Sequence, residues 1–259
     1  MPGEHPFALT GKVAVVTGVG SPRGIGFAAA KTLGALGASL VVSSRSERVH
    51  DRVAELPAGT VGVAGDLTRP ETAEELVATA VSRFGHADIA VHCAGMTSVV
   101  DPAPGPSRAA DLSFAVWRAS LARDLDAAFL VARAALPALV AAGAGRLVLV
   151  ASLTGPVTAI RGEIAYGAAK AGVVGLVRGL ALEAAASGVT VNAVAPGWIA
   201  TGSQTGHEHA QGLRTPMGRS GTAAEVASLI AYLCTPSSSY VTGQCLVVDG
   251  GNSIAEERA

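Results

Sequence analysis

Short apolar runs alternate with longer alanine-rich stretches along most of this chain. Runs such as VAVV and LVLV are apolar at every position, which is typical of strands buried on both faces of a sheet. The longer stretches are typical of helices. The pattern predicts strands over Val13–Thr17, Ser39–Ser43, Val61–Ala64, Ile89–Cys93, Arg146–Ala151, Thr190–Val194 and Cys245–Val248. It predicts helices over Gly24–Leu36, Glu47–Leu56, Pro70–Phe84, Leu112–Ala142, Glu163–Ser187 and Thr222–Leu233.

Strands that alternate with helices imply right-handed crossovers and a mostly parallel sheet. No linker, repeat or second composition regime divides the chain, so we predict one α/β domain over residues 1–259, with an N-terminal extension over 1–10 and a tail over 252–259. Two irregular stretches, 101–107 and 202–221, follow predicted strands. They are expected at the carboxyl edge, where open α/β sheets bind ligands, and are predicted to wall a substrate site. Alternatively, the first is only a tolerated surface loop.

The composition is apolar for a soluble protein: 49% of the 259 residues are hydrophobic, 15% are charged and the mean hydropathy is +0.43. A membrane segment would explain this, and so would a doubly covered parallel sheet that also packs against other subunits. The most apolar region, Ala127–Val150, is interrupted by Arg133, Pro137 and Arg146, and falls short of the roughly 18 apolar residues of a spanning helix. Because the start shows no secretory pattern, a soluble cytoplasmic protein is the simpler prediction.

Charge and cysteine content argue against other classes of protein. A net charge of −1 without a basic run gives no footprint for nucleic acid. The three cysteines lack CxxC spacing, so they suit reduced thiols better than a disulfide frame or a zinc site. His207 and His209 would point apart on a helix, and no metal site is predicted.

A glycine cluster follows the first predicted strand and opens the first predicted helix. Glycines allow the backbone to turn sharply and to approach a pyrophosphate, whose charge is favoured by the free N–H groups and the dipole at a helix N-terminus. Because ordinary turns also need glycines, glycines alone do not indicate a phosphate site. The position of this cluster, between the first strand and the first helix, does. The predicted phosphate-binding residues are Gly18, Gly20, Gly24, Ile25 and Gly26.

The end of the second predicted strand indicates which dinucleotide binds. NAD sites usually place an acidic residue there to bind the ribose 2′-hydroxyl, whereas this chain has Ser43-Ser44-Arg45-Ser46. Arg45 could pair with a 2′-phosphate and Ser44 could donate to it. Arg23 is a second cation beside the glycine cluster. Each arginine could instead be a solvated surface charge, but both together favour NADP(H).

Tyr166 and Lys170 are the candidate reacting centre. At i and i+4 they lie on one face of a predicted helix. A tyrosine pKa of about 10 suits acid–base chemistry poorly near neutral pH, but a nearby ammonium lowers it. Ser152, after the fifth predicted strand, could donate to the substrate oxygen and stabilise developing negative charge. A tyrosine at the start of a helix usually serves only in packing. The presence of Ser152 after the preceding strand makes the tyrosine–lysine pattern specific.

These motifs, in this order from Gly11 to Gly251, resemble those of the short-chain dehydrogenase/reductase family, and within it the 3-oxoacyl-(acyl-carrier-protein) reductases. The resemblance implies a Rossmann-type doubly wound α/β fold, with a seven-stranded parallel sheet in the order 3-2-1-4-5-6-7 flanked by helices. It implies catalysis by Ser152, Tyr166 and Lys170, with Asp124 at the fourth catalytic position. Tyr166 and Lys170 are also implied cofactor contacts, Lys170 at the nicotinamide ribose. It implies further cofactor contacts at Asp66, Leu67, Cys93, Ala94, Gly95, Pro196, Gly197, Ile199 and Thr201.

The chain departs from the family pattern at three places. Five residues, not three, separate the first two matching glycines of the loop, which resembles the enoyl-acyl-carrier-protein reductase branch. His92 and Cys93 stand where relatives carry two asparagines, and we interpret His92 as a packed or hydrogen-bonded histidine rather than a catalyst. Asp124 replaces the asparagine whose backbone, in relatives, supports a water that links the lysine to solvent. Its carboxylate could also pair with Lys170; alternatively, Asp124 is an exposed helix residue.

The leading hypothesis is an NADP(H)-dependent ketoreductase or alcohol dehydrogenase that transfers a hydride between nicotinamide and a carbonyl or hydroxyl carbon. A 3-oxoacyl or polyketide-type substrate, including one bound to an acyl carrier, is among the candidates. An enoyl reductase is the alternative, although that branch usually spaces its tyrosine and lysine more widely. A nucleotide-binding protein with impaired catalysis is favoured only by Asp124 and the altered His92-Cys93. The resemblance also implies a homotetramer or homodimer, without a membrane or nucleic-acid partner.

Overall fold

The computed structural model describes residues 6–95 and 108–256. The predicted substrate wall over 101–107 therefore lies outside the described residues, as do the first five residues of the N-terminal extension and the last three of the tail.

One parallel sheet organises the described chain. Its seven strands lie in the order β3-β2-β1-β4-β5-β6-β7, and every neighbouring pair is parallel. This order confirms the predicted doubly wound fold. Because β1 and β4 are neighbours, the order of the strands reverses between them, and open α/β sheets bind ligands at the carboxyl ends of such a switch point. The strands are β1 (Val13–Val16), β2 (Ser39–Ser44), β3 (Val61–Ala64), β4 (Ile89–His92), β5 (Arg146–Val150), β6 (Thr190–Pro196) and β7 (Cys245–Val248).

Helices cover both faces of the sheet. They are α1 (Ile25–Ala35), α2 (Arg48–Val53), α3 (Pro70–Phe84), α4 (Phe114–Leu121), α5 (Ala127–Ala141), α6 (Ile164–Ala184), α7 (Gly206–Gly212) and α8 (Ala223–Cys234). A 3-10 turn over Ala185–Ser187 extends α6, and another over Pro236–Ser238 follows α8.

Alternate residues of the strands pack against opposite helix layers. Ala14 and Val16 of β1 belong to a buried cluster with α1 and α8, whereas Val13 and Val15 face α3 and α5. Farther along the sheet, β5 and β6 pack against α5 and α6. Since both faces of the strands are buried, the core accounts for much of the apolar composition.

The predicted helix over 112–142 is not regular. A π-helical turn spans Ala122–Asp126, between the end of α4 and the start of α5. Such turns insert an extra residue into a helix and occur frequently at functional sites. Asp124, in the middle of the turn, is buried. The prediction of one continuous helix is therefore wrong at this turn, and the alternative of an exposed Asp124 is wrong as well.

The stretch 202–221, predicted to be irregular, contains the helix α7. Thr205 precedes it, and its hydroxyl accepts a hydrogen bond from the backbone N–H of Glu208 while the Glu208 carboxylate accepts one from the N–H of Thr205. This reciprocal capping box satisfies N–H groups that a helix start leaves without partners. The irregular prediction is wrong for Gly206–Gly212.

Among residues 6–95 and 108–256, one helix with its extension, Ile164–Ser187, is long and apolar enough to cross a membrane. In the fold this segment is a layer of the core, because Val173, Val177 and Ala181 pack against the sheet. It also carries Tyr166 and Lys170. One side of this helix is apolar because it is buried against strands. Its outer side is apolar as well and is not covered within the chain.

Candidate active site

The glycine-rich turn between β1 and α1 lies against the end of β4. Gly18 has a φ of +76°, and a Cβ there would come within 2.8 Å of the carbonyl carbon of Cys93. A Cβ at Gly26 would come within 2.6 Å of the carbonyl oxygens of Thr17 and Gly18. Gly24 precedes α1 without a side-chain cap. Because these positions leave no room for side chains, the N-terminus of α1, which begins at Ile25, stays open to a phosphate.

Thr17 holds the end of β4 in place. Its hydroxyl oxygen accepts hydrogen bonds from the backbone N–H groups of Cys93 (3.1 Å) and Ala94 (3.2 Å). Its proton is therefore available to Nδ1 of His92, 3.0 Å away. Burial, and after it the charge of Lys170, lowers the pKa of His92 to about 3. The interpretation of His92 as a packed, hydrogen-bonded histidine is confirmed.

Ser152 and Tyr166 meet at the carboxyl edge. Ser152 follows β5, and Tyr166 lies in the first turn of α6. Burial is the largest influence on the Tyr166 hydroxyl and raises its pKa to about 12, while a hydrogen bond with Ser152 acts in the opposite direction. The negative charges of Asp124 and Glu163 raise it further. The phenol is therefore protonated at neutral pH in this arrangement.

Lys170 lies one helical turn beyond Tyr166, and its side chain is 5% exposed. Its Nζ donates a hydrogen bond to the carbonyl of Val150 at 3.1 Å and lies 3.7 Å from Oδ1 of Asp124. Burial lowers the pKa of Lys170, and the Asp124 charge raises it. The pairing of the Asp124 carboxylate with Lys170, one of the alternatives given for this residue, is confirmed.

The sequence patterns did not identify two charged residues beside this group. Arg123 donates to Oδ2 of Asp124 from Nε (3.1 Å) and Nη2 (2.7 Å). Glu163 precedes α6, is half-buried, and lies within electrostatic range of Arg123, Glu208 and Asp124; burial raises its pKa. Because Glu163 is three residues before Tyr166, the helical spacing could have identified it. No motif marked Arg123.

The segment after β6 is fixed beside the end of β7. The N–H of Gly197, directly after Pro196, donates to the carbonyl of Val248 at 2.9 Å. Ile199 forms an isolated parallel bridge with Gly221, and the Thr201 hydroxyl lies 3.1 Å from that of Ser203. The residues predicted to hold the nicotinamide carboxamide therefore have an ordered backbone at the carboxyl edge.

The end of β2 contacts the glycine-rich turn. A Cβ at Gly20 would come within 3.1 Å of the Cβ of Ser44. The Ser44 hydroxyl donates to the carbonyl of Ser46 at 2.6 Å, so it is engaged within its own turn. Arg45 and Arg23 are both exposed. Arg23 also lies near Gly202, where an added Cβ would be 3.9 Å from its side chain.

The predicted adenine contact follows β3. Oδ1 of Asp66 accepts hydrogen bonds from the N–H and the hydroxyl of Thr68, at 2.9 and 2.8 Å, and Leu67 beside it is buried. Asp66 thus shapes the turn that starts α3. The rest of its carboxylate is exposed toward solvent.

The fold gathers the predicted residues along one edge of the sheet, in two groups. Ser152, Tyr166, Lys170 and Asp124 meet near the ends of β4 and β5. The glycine-rich turn and the ends of β2 and β3 form the other group, beyond the switch point. Close-packed glycines, an open helix N-terminus and exposed arginines fit a dinucleotide, whose nicotinamide end would lie toward Lys170.

Comparison with known proteins agrees with this geometry. The sequence family described as Enoyl-(Acyl carrier protein) reductase matches residues 18–253. A galactitol 2-dehydrogenase (L-tagatose-forming) from Cereibacter sphaeroides is 37% identical, over 96% of this chain and 97% of the relative. The 3-oxoacyl-(acyl-carrier-protein) reductase of Salmonella typhimurium is 34% identical, over 94% of this chain and 98% of the relative. A cyclohexanol dehydrogenase from an Acinetobacter species is 36% identical, over 92% and 94%.

The fold comparison gives the same result. The crystal structure of a dehydrogenase/reductase from Sinorhizobium meliloti matches with a TM-score of 0.86 and 31% identity, over 95% of this chain and 97% of that one. The protein described here belongs to the short-chain dehydrogenase/reductase family, whose members are oxidoreductases of CH–OH and C=O groups that use a nicotinamide cofactor. The resemblance seen in the sequence is confirmed.

Proposed function

We propose that this protein is an NADPH-dependent reductase of ketones, which acts in reverse as an alcohol dehydrogenase. The meeting of Ser152, Tyr166 and Lys170 beside the glycine-rich turn carries the proposal. A phenol, a hydroxyl and an ammonium around one point supply the acid and the charge stabilisation that carbonyl reduction needs.

Each of these side chains has a separate task in the proposed reaction. Tyr166 gives its hydroxyl proton to the carbonyl oxygen, and Ser152 donates a hydrogen bond to the same oxygen. Lys170 stabilises the phenolate that remains and binds the nicotinamide ribose. NADPH, when bound, supplies the hydride. Because the pKa of Tyr166 is raised to about 12, the phenol carries its proton at neutral pH and can donate it in the reductive direction.

The end of β2 supports NADPH rather than NADH. Ser44, Arg45 and Ser46 provide no carboxylate to bind a ribose 2′-hydroxyl or repel a 2′-phosphate. Glu47, the next residue, lies 3.1 Å from His50 and precedes α2. Arg45 is therefore the side chain that we propose for the 2′-phosphate, with Arg23 as a second cation.

The substrate class is proposed more broadly. Relatives are named for galactitol, for cyclohexanol and for a 3-oxoacyl group on an acyl carrier protein. Reduction of a C=C bond is a second candidate, because the matched family is described as an enoyl reductase. With Ser152 beside Tyr166, two hydroxyl groups can donate to one oxygen, which suits reduction of a carbonyl.

We also propose a soluble, cytoplasmic homodimer or homotetramer. Large apolar side chains lie exposed on the outer side of α5 and α6, among them Phe129 (45%), Ile164 (43%) and Leu182 (84%). Burying such a face against a second copy of the chain removes this apolar surface from water.

Separate titrations with NADPH and NADH test the cofactor, and a panel of ketones, 3-oxoacyl thioesters and enoyl thioesters tests the chemistry. Arg45→Ala should weaken NADPH binding by about tenfold or more and leave NADH binding unchanged, since it removes a charge-assisted contact to the 2′-phosphate. Arg83→Ala, exposed on α3 at the opposite edge of the sheet, is the matched control. Equal binding of both cofactors by the wild type would refute the Arg45 assignment.

Tyr166→Phe separates binding from chemistry. This variant should bind NADPH normally and lose about 10²- to 10⁴-fold in ketone reduction, because only the proton donor is removed. If it reduces ketones as well as the wild type does, the proposed mechanism is wrong. If the wild type reduces only the enoyl thioester, the second candidate replaces the first.

A further inference from the structure

Arg123, Asp124 and Lys170 form a row of alternating charges that leads from the surface to the reacting centre. The Arg123 side chain is 28% exposed, that of Asp124 is 0% exposed and that of Lys170 is 5% exposed. The guanidinium binds one carboxylate oxygen, Oδ2, through two nitrogens, and it also donates to the hydroxyl of Ser120 at 3.3 Å. The carboxylate is therefore clamped from its solvent side.

The other carboxylate oxygen faces the lysine. Oδ1 of Asp124 is fully buried, has no hydrogen-bond partner among the described residues, and lies 3.7 Å from Nζ of Lys170. Gly95 closes the same space: a Cβ there would be 2.9 Å from Oδ1 and 3.3 Å from Nζ. Oδ1 is thus held toward Lys170 and shielded from water.

We propose that Arg123 is a positioning residue, which clamps the Asp124 carboxylate so that this carboxylate keeps Lys170 charged and in place beside Tyr166. This inference rests on the proposed function, because it assigns a task in that reaction. Arg123 contacts neither a substrate nor the reacting atoms and acts only through Asp124.

The surroundings of Lys170 show why a buried anion is needed. From β4, the ammonium is within electrostatic range of His92, whose low pKa leaves it neutral, and of Cys93, whose thiol pKa is raised to about 12. From the π turn it faces Arg123 and Asp124. Among these groups, Asp124 is therefore the carboxyl group that can place a negative charge opposite the ammonium.

The charges beside Tyr166 complete this environment. On α6, the phenol of Tyr166 precedes Lys170 by one turn, and the carboxylate of Glu163 acts on Tyr166. Burial lowers the pKa of Lys170. Without Asp124, the buried ammonium would face the Arg123 cation with no anion between them, and would lose its proton more easily.

The two members of the clamp should change opposite sides of the pH profile. Asp124→Asn removes the anion, so the pKa of Lys170 falls and the alkaline limb of kcat should move down by about one pH unit or more. Arg123→Gln removes a cation from the carboxylate, whose pKa is already raised by burial, so the acid limb should move up. Arg123→Lys keeps the charge and should return the acid limb toward that of the wild type.

A direct titration of Lys170 tests the proposal without any turnover. The chain has three lysines, Lys12, Lys31 and Lys170, so protein labelled with 13C at the lysine ε-carbon gives three assignable NMR signals. Lys170→Arg identifies the third. Asp124→Asn should lower the titration midpoint of Lys170 by about one unit or more and leave those of Lys12 and Lys31 unchanged.

Asp124→Asn alone leaves Arg123 without its carboxylate partner beside the lysine and could prevent folding. The double variant Arg123→Gln/Asp124→Asn removes that arginine and keeps the test possible. Its Lys170 midpoint should lie below that of Arg123→Gln alone. The proposal would be overturned if the Lys170 midpoint were the same in Asp124→Asn as in the wild type and the same in the double variant as in Arg123→Gln. It would also be overturned if Arg123→Gln left the acid limb of kcat unchanged. If the wild type reduces no ketone but the midpoint shifts as expected, the proposed function fails and the charge row stands.

Discussion

The Tyr166 hydroxyl lies among charges that keep its proton in place. Asp124 and Glu163 raise its pKa and Arg123 lowers it, while burial has the largest effect. Lys170 donates to the carbonyl of Val150 and lies beside Asp124, and its Nζ is 5.8 Å from the centre of the tyrosine ring. The phenol therefore holds its proton at neutral pH, as the acid of the reductive direction must. In the oxidative direction Tyr166 must begin as a base, so turnover is expected to rise with pH.

Glu163 provides a test of this electrostatic balance at a single residue. Glu163→Gln removes a negative charge near the phenol, so the pKa of Tyr166 should fall. The rising limb of alcohol oxidation, measured as kcat/KM against pH, should then move to lower pH by a fraction of a unit. Ketone reduction at pH 7 should change little, because the phenol stays protonated there.

The control for this substitution is Glu183→Gln, on the same helix but exposed near its far end. It should leave both profiles unchanged. A Glu163→Gln profile that coincides with that of the wild type would show that the carboxylate does not act on Tyr166.

The N-terminus of α8 is connected by hydrogen bonds to the predicted cofactor site. The Thr222 hydroxyl accepts from the N–H of Glu225, whose carboxylate accepts from the N–H and the hydroxyl of Thr222 and from Arg219. Gly221, directly before this capping box, pairs with the segment around Ile199. The start of α8 therefore helps to hold the backbone expected to bind the nicotinamide carboxamide.

The pH dependence of this cap follows from its carboxylate. Bonding to Arg219 first, and then to Thr222, lowers the pKa of Glu225 to about 2. A carboxyl whose pKa is depressed by folding stabilises the fold above its unfolded pKa of about 4.3, and this contribution is lost as pH falls through the folded value. Glu225→Gln should therefore lower Tm at pH 7, and the difference from the wild type should shrink between about pH 5 and about pH 2.

Thermal unfolding at several pH values measures this difference. Glu75→Gln, exposed on α3, is the control and should show no such trend. Thr222→Ala should lower the free energy of unfolding by about 1 kcal/mol through loss of the same cap. A constant difference across the pH range would mean that Glu225 acts by packing rather than by its charge.

Elements with strong local signals were predictable, and those that depend on contacts elsewhere were not. The bounds of α3 agree with prediction because Pro70 begins it and Gly85, with a φ of +87°, ends it. The helix α7 was missed although Thr205 and Glu208 carried the capping-box signal, because no apolar period accompanied it. The π turn was missed because hydrophobic spacing does not reveal one inserted residue.

The same distinction applies to the candidate site. Tyr166, Lys170 and Ser152 could be predicted because their order and spacing form a motif, and their positions at one edge follow from the parallel sheet. The role of Asp124 was predictable only as an alternative. Arg123 required the structure, because the clamp depends on how the π turn faces α6 across the end of β4. Glu163 was missed although it lies three residues before Tyr166, a spacing that could have identified it.

The two helix layers differ in how much apolar surface they expose. The layer of α1 and α8 buries its apolar residues against the sheet in one large cluster. On the opposite side, the outer surface of α5 and α6 exposes Phe129, Val140, Ile164 and Leu182. In the apolar window of Ile164–Ser187, only 39% is buried within the chain. A surface of this kind is expected to be covered in solution by another copy of the chain.

Charge introduced on this surface should separate the subunits without unfolding them. Leu182 is 84% exposed in the single chain, so Leu182→Glu costs the isolated fold little, but it would place a carboxylate inside an interface. In sedimentation velocity at micromolar concentrations, the wild type should be a dimer or tetramer and Leu182→Glu a smaller species. Val81→Glu, which changes a 40% exposed valine on α3, should leave the assembly unchanged.

Because association stabilises only the folded chain, Tm of the wild type should rise with protein concentration and that of Leu182→Glu should not. A monomeric wild type would refute the proposed assembly, and an unchanged Leu182→Glu oligomer would move the interface away from α6.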